Sequence, residues 1–245
     1  MRQVRRLEWG AMKRFLATVV AVVLGVAVVA GIGVFSSVNG AEPDAIVAKK
    51  VGTKSTPQGE LPHYELHMDV YPNSSAAVPP PRADSPINNV LLSGQPFYGP
   101  STSIEVPANS VVTIHFTQYD SGGQIYNPYF AKVHGTMDGT MTWNGKKVTE
   151  IKSNEVGHTF TVHQYPEATQ PDFFLSVPLP MNAGNAKTDS NGYPVDPQKV
   201  SITFITGDAG TYVWNCEYPC GDMYQEFGGP MQQRGWMAGT FEVVA

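Results

Sequence analysis

After one long apolar run near its start, the chain alternates hydrophobic and polar positions in short stretches, the period-two pattern of half-buried strands. The run is Phe15 to Phe35 (FLATVVAVVLGVAVVAGIGVF), 21 residues without a charge. As a helix rising 1.5 Å per residue it reaches roughly 30 Å, the thickness of a bilayer core. Arg2, Arg5, Arg6, Lys13 and Arg14 precede it. By the positive-inside rule residues 1–14 stay in the cytoplasm and everything after Phe35 is extracytoplasmic. A start at Met12 would leave that topology unchanged. A cleaved signal peptide is the alternative, but its apolar core is about 7–15 residues long. An uncleaved single-pass anchor in the cell membrane is the reading, with the lipid bilayer as its first partner.

Residues 36–60 (SSVNGAEPDAIVAKKVGTKSTPQGE) are small, polar and without periodicity, and are predicted to be a flexible tether. The exported domain is predicted over residues 61–245. Its strand-like runs are Tyr64–Val70, Ile104–Val106, Val111–Phe116, Met141–Trp143, Lys147–Ile151, His158–Val162, Val200–Thr206, Gly210–Cys216 and Gly239–Val244. Asn-Gly, Gly-Gly and Pro break them, and Pro79-Pro80-Pro81 stiffens the stretch from Pro72 to Pro86. Short strands at this spacing predict a single all-β Greek-key sandwich behind one transmembrane helix.

Parity within the strands assigns faces. Val112, Ile114 and Phe116 look inward, so His115 looks outward. His158, Phe160 and Val162 share an inward face, and His163 does not. Tyr212, Trp214 and Cys216 share a face, as do Met237, Gly239, Phe241 and Val243, with Trp236, Thr240 and Glu242 opposite. His63 and His67 lie four apart on one strand and so share a face. His134 belongs to a loop. An imidazole on an apolar face needs a partner, because an unpaired ring nitrogen is costly there. His158, Cys216 and Met237, inward-facing near strand ends, make a soft-metal constellation.

Composition narrows the function. Residues 1–35 hold five basic residues against Glu8, leaving eleven basic and twenty acidic residues beyond. An acidic exported body excludes nucleic acid as a partner, since phosphate contacts need a basic face. Two cysteines exclude a disulfide scaffold and a four-cysteine zinc site. No Gly-x-Ser-x-Gly, His-Glu-x-x-His, phosphate loop or dinucleotide fingerprint occurs, so an independent enzyme is not expected.

The residues resemble the cupredoxin superfamily. Phe97-Tyr-Gly with Ile104 to Val111 is similar to the opening strand pair of that family. Val156-Gly-His158-Thr-Phe160-Thr-Val162 resembles its first copper histidine on its strand. Gly210 to Cys216 resembles the strand delivering the copper cysteine, and Gly235-Trp-Met237-Ala-Gly239 the closing strand with its axial methionine. Cys216-Glu-Tyr-Pro-Cys220-Gly221 has the spacing of the dinuclear copper loop in subunit II of cytochrome oxidases. The match runs over about residues 95–245, with 118–150 as an insertion. Tyr224 and Phe227 stand where the oxidase loop has its histidine and methionine, so the second copper histidine is missing.

The resemblance implies a cupredoxin-like sandwich and copper as cofactor, one ion or two. The metal residues it implies are His158, Cys216, Cys220 and Met237. Met231 and Met223 are substitute thioethers. Thiolate, imidazole and weak thioether suit a metal cycling between Cu(I) and Cu(II). Two ions would need a further imidazole from His63, His67, His134 or His163. The implied function is electron transfer beside a redox protein or terminal oxidase subunit. Two alternatives stand beside it: a copper-delivery protein, and a metal-free accessory module closed by a Cys216–Cys220 disulfide, which forms readily outside the cytoplasm.

Overall fold

Strands form where alternation marks them, and also in two places where it is silent. The computed structural model describes residues 2–82, 92, 94–122, 127–164, 173–218, 220–221 and 229–245. The apolar run lies in one helix, α1 (Arg2–Gly40), longer than the uncharged stretch itself. Its span Met12–Val38 is long and apolar enough to cross a membrane.

Glu42–Ala245 forms a separate compact unit of strands. In chain order they are β1 (Ile46–Val47), β2 (Lys49–Thr56), β3 (Gly59–Tyr71), β4 (Phe97–Gly99), β5 (Ser103–Pro107), β6 (Val111–Gln118) and β7 (Met141–Trp143). There follow β8 (Lys146–Val148), β9 (Val156–Gln164), β10 (Phe174–Pro180), β11 (Gln198–Ile205), β12 (Gly210–Asn215) and β13 (Ala238–Val244). One sheet runs β1-β5-β13-β12-β9-β10, the other β2-β3-β6-β11-β7-β8, with β4 also paired to β3. The steps β5 to β6, β8 to β9, β10 to β11 and β11 to β12 each pass from one sheet to the other. That crossing connectivity makes a Greek-key β-sandwich.

Both inner faces carry the residues that alternation assigns to them. Met68, Val112, Ile114, Phe116, Ile202 and Phe204 of one sheet meet Phe160, Val162, Tyr212, Trp214 and Phe241 of the other, all buried in one cluster. Each fully buried side chain of this size contributes about 1.5–3 kcal/mol. An exposed ion pair such as Lys147–Asp138 contributes about 0–1 kcal/mol. Burial therefore holds the sandwich together, and the surface charges are secondary.

The expected tether is corrected. Within residues 36–60, helix α1 continues to Gly40 and β1 and β2 follow, with β2 laid antiparallel on β3 from Lys49–Glu65 to Thr56–Gly59. β2 is an edge strand with almost every side chain exposed, so it has no apolar face to betray it. Lys49, Lys50 and Lys54 blunt that edge. Glu42, at the start of the unit, accepts from Ser103 Oγ (3.2 Å) and Thr240 Oγ1 (2.7 Å) and pairs with Arg234. β10 also escapes the sequence pattern, because Pro178 and Pro180 break its run; as the other sheet's edge it tolerates them. Trp236, across the strand from the core face, is still buried, in a small second cluster with Leu92 and Phe97.

Candidate metal centre

Three of the predicted ligands meet at one end of the sandwich. His158 stands on β9, Cys216 directly follows β12, and Cys220 lies in the turn beyond it. β9 and β12 are hydrogen-bonded neighbours, with Asn215 opposite Thr161, so the register carries Cys216 onto the face of Phe160, two residues along β9 from His158. His158 Nδ1 is 2.8 Å from Cys220 Sγ and 3.8 Å from Cys216 Sγ, and the sulfurs are 2.9 Å apart. All three residues are buried, and they are the one set of histidine, cysteine and carboxylate side chains close enough to share an ion among the described residues. Both thiols are free in the structure.

The fourth member of the site is Asp120, which sequence reasoning missed. Its Oδ2 lies 2.7 Å from His158 Nε2, so one ring nitrogen is tied to a carboxylate and the other faces the sulfurs. Asp120 follows β6, and its loop is fixed on several sides. Its N–H donates to Gln118 Oε1 (2.9 Å), and its carbonyl accepts the Asn182 N–H (3.0 Å). Gly122, at φ 65°, lies directly on Gly157, where an added Cβ would overlap the neighbour's backbone. Glycine at both positions lets the loop rest on β9 immediately before His158. Asp120 also lines a cleft of about 170 Å3 with Tyr119, Asn182 and Pro194. The histidine edge is therefore one carboxylate away from solvent.

Electrostatics follow from these contacts. Burial opposes charge on His158, but the hydrogen bond to Asp120 and the contact with Cys216 outweigh it and raise the imidazole to about 10. Burial likewise opposes ionisation of Asp120, and His158 overcomes it, holding the carboxyl below its usual 3.8. For Cys216, burial pushes the thiol up, while Cys220, His158 and the Thr159 N–H (3.3 Å) pull it well below 9.0. Burial and the neighbouring Cys216 thiolate raise Cys220. These contacts favour charge on Asp120, His158 and Cys216 and keep Cys220 as the second thiol.

Met237 is buried in the same cluster as the thiols, and its carbonyl accepts the Cys216 N–H at 2.9 Å. Met231 packs against the cluster from the turn before β13. Met223, Tyr224 and Phe227 lie outside the described residues. The further imidazoles lie elsewhere: His163 bonds Asn215 Oδ1 (3.1 Å) and His134 stacks on Tyr129 at 4.6 Å. His63 and His67 lie on β3 in the other sheet.

No protein-family model matches the sequence, and no curated protein matches it. Solved structures do. Auracyanin B is 14% identical, covering 81% of this chain and 100% of its own, with a TM-score of 0.32. Rusticyanin from Thiobacillus ferrooxidans is 13% identical over 80% of this chain and 86% of its own, TM-score 0.31. Reduced auracyanin from Roseiflexus castenholzii is 16% identical over 61% and 88%, TM-score 0.27. These likenesses are distant, and the chemistry of the site rests on the chain's own residues.

Proposed function

We propose that the sandwich is a membrane-anchored, extracytoplasmic copper protein that passes electrons, with His158, Cys216 and Cys220 as its metal-binding side chains. The observation that carries this reading is the buried imidazole whose Nδ1 faces two free thiols at 2.8 and 3.8 Å while Asp120 holds Nε2. A carboxylate behind a ligating histidine fixes the ring and raises its basicity. The donor set fits the metal: thiolate and imidazole are soft to borderline ligands that accept both Cu(I) and Cu(II). Copper, when bound, would supply reversible uptake of one electron.

The protein's own groups do the rest. Cys216 ionises first and offers its thiolate without rearrangement. Asp120 keeps the imidazole turned toward the sulfurs. Met237, whose carbonyl holds the Cys216 N–H, is the first candidate for a thioether ligand, and Met231 the second. One imidazole near two sulfurs favours a single ion over two. The apolar helix would hold the sandwich at the bilayer, within reach of a redox protein or a terminal oxidase subunit.

A second reading rests on a different number. The sulfurs are 2.9 Å apart, and an oxidant would need to bring them only slightly closer to close a metal-free module. One experiment separates the two. The full chain, reduced, loaded with copper and oxidised in detergent, should show thiolate-to-Cu(II) absorption. Cys216→Ser should abolish that band, His158→Ala should weaken it, and His115→Ala should leave it intact. Thiols that stay silent to a thiol reagent until reduced, with no copper retained even afterwards, would leave the closed module standing instead.

A further inference from the structure

The sheet that does not carry the thiols holds a small pocket on its outer face, rich in hydroxyls and ammonium groups. Its volume is about 200 Å3, and Lys54, Asp138, Thr142, Lys147, Ser201 and Thr203 line it. Strand register brings these residues together. Antiparallel pairing sets Lys54 of β2 opposite Leu61, on the face of β3 that carries His63. Ser201 of β11 lies opposite Thr142 of β7, which lies opposite Lys147 of β8. Thr203 follows Ser201 by two residues and so shares its face.

Charge inside the pocket is unbalanced. Lys147 Nζ donates to Asp138 Oδ2 at 2.7 Å, while Thr140 donates its N–H (3.1 Å) and its hydroxyl (2.7 Å) to Asp138 Oδ1. That carboxylate is therefore taken up. Lys54 differs: its ammonium makes no hydrogen bond or ion pair among the described residues. It is nevertheless half-buried, whereas Lys49 and Lys50 on the same strand are exposed. Its charge acts on His63, which burial and then Lys54 hold below the usual 6.5. A partly buried cation without a counter-ion is costly, and an anion in the pocket relieves that cost.

The hydroxyls can all donate into the same space. An anion offers only acceptors, whereas a serine or threonine hydroxyl both accepts and donates. Thr203 Oγ1 is 2.9 Å from Thr113 Oγ1, itself 2.9 Å from His63 Nε2. With the ring N–H donating to Thr113 and Thr113 to Thr203, the Thr203 hydrogen is left for the pocket. Ser201 Oγ, 2.8 Å from His115 Nδ1, is released in the same way when the ring nitrogen donates to it. Donors chained like this strengthen the last bond of the chain.

We propose that this pocket binds a small tetrahedral oxyanion, inorganic phosphate or sulfate, with Lys54 as its charge partner and Thr142, Ser201 and Thr203 as hydroxyl donors. A lysine ammonium meets such an anion as a point charge. The pocket falls below the roughly 300–1,000 Å3 of sites for drug-sized ligands, which favours a free anion over a nucleotide or a lipid headgroup. One unpaired cation suits a single anion and does not turn the acidic body into a nucleic-acid binder. The site stands apart from the copper reading and survives its failure.

The test titrates the full chain, in neutral detergent, with inorganic phosphate and follows the backbone amides by NMR. The Thr142, Ser201 and Thr203 signals should shift together and saturate, and sulfate should compete. Lys54→Gln, on an edge strand that tolerates it, should weaken binding at least about tenfold, the loss of one charge-assisted hydrogen bond. Thr142→Val should weaken it about fivefold, and Lys187→Gln, outside the pocket, should leave it unchanged. No saturable shift, or binding that Lys54→Gln leaves intact, would overturn the proposal. Glycerol phosphate binding more tightly than inorganic phosphate would overturn it as well, assigning the pocket to a headgroup.

Discussion

Asp120→Asn keeps the side chain's shape and removes its charge, which isolates the role of that carboxylate behind His158. The Asp120–His158 contact is 2.7 Å, with His158 fully buried and Asp120 13% exposed, so solvent screens the pair little. Loss of the carboxylate partner of a ligating histidine lowers metal affinity about 10–100-fold, which at 1.4 kcal/mol per tenfold is about 1.4–2.8 kcal/mol. In the metal-free chain, removing one charge of a buried pair costs about 3–5 kcal/mol; asparagine retains a hydrogen bond, so about 3 kcal/mol is expected. The deficit depends on pH. Asp120 titrates below 3.8 in the folded chain, so its contribution is present above 3.8 and lost as pH falls through the lower folded value. His158 is raised, so its contribution is complete below 6.5 and lost as pH rises through about 10. The parent should therefore exceed Asp120→Asn most between about pH 4 and 6.5, with the curves converging on either side. Copper competition titrations and urea unfolding of the metal-free chain followed by tryptophan fluorescence measure both effects. Equal copper affinities, with unfolding midpoints that coincide across the whole pH range, would refute the reasoning.

Other outcomes follow from the same packing and contacts. Gly239→Ala should destabilise the sandwich by about 3 kcal/mol, the upper part of the overpacking range, because an added Cβ would overlap the Thr102 carbonyl on the neighbouring segment; an unchanged urea midpoint would contradict this. The Asp138 carboxyl, held by the Lys147 hydrogen bond and then by Thr140, should titrate near 2 by carbon NMR and return toward 3.8 in Lys147→Ala. What little stability that exposed pair adds should be present above 3.8 and fade as pH falls through about 2. Alkaline extraction of membranes should leave the chain in the pellet, held by the Met12–Val38 span; release of a form beginning after residue 35 would point to cleavage.

The sandwich and most of its site are legible in the sequence because strand parity is a local code. Val112, Ile114 and Phe116 fix one face of β6 and thereby turn His115 outward, where it meets Glu65. The same rule sets His158 among Phe160 and Val162, and Cys216 behind Trp214. What parity does not reach is chemistry from loops. Asp120 sits past the end of β6, held by Gln118 and Asn182, and nothing periodic marks it. Edge strands fail for a related reason: β2 has no buried face, and β10 carries prolines that a central strand would exclude. The outward histidine face needed one further fact, the parallel register of β3 on β6, which joins residues about fifty positions apart.

Copper K-edge X-ray absorption on the loaded full chain tests the central claim most directly, because it reports which atoms bond the metal. Sulfur together with imidazole nitrogen is expected around the absorbing copper, with loss of sulfur scattering in Cys216→Ser. Copper surrounded by nitrogen and oxygen alone in the parent chain would contradict the proposed centre, placing the metal away from Cys216 and Cys220.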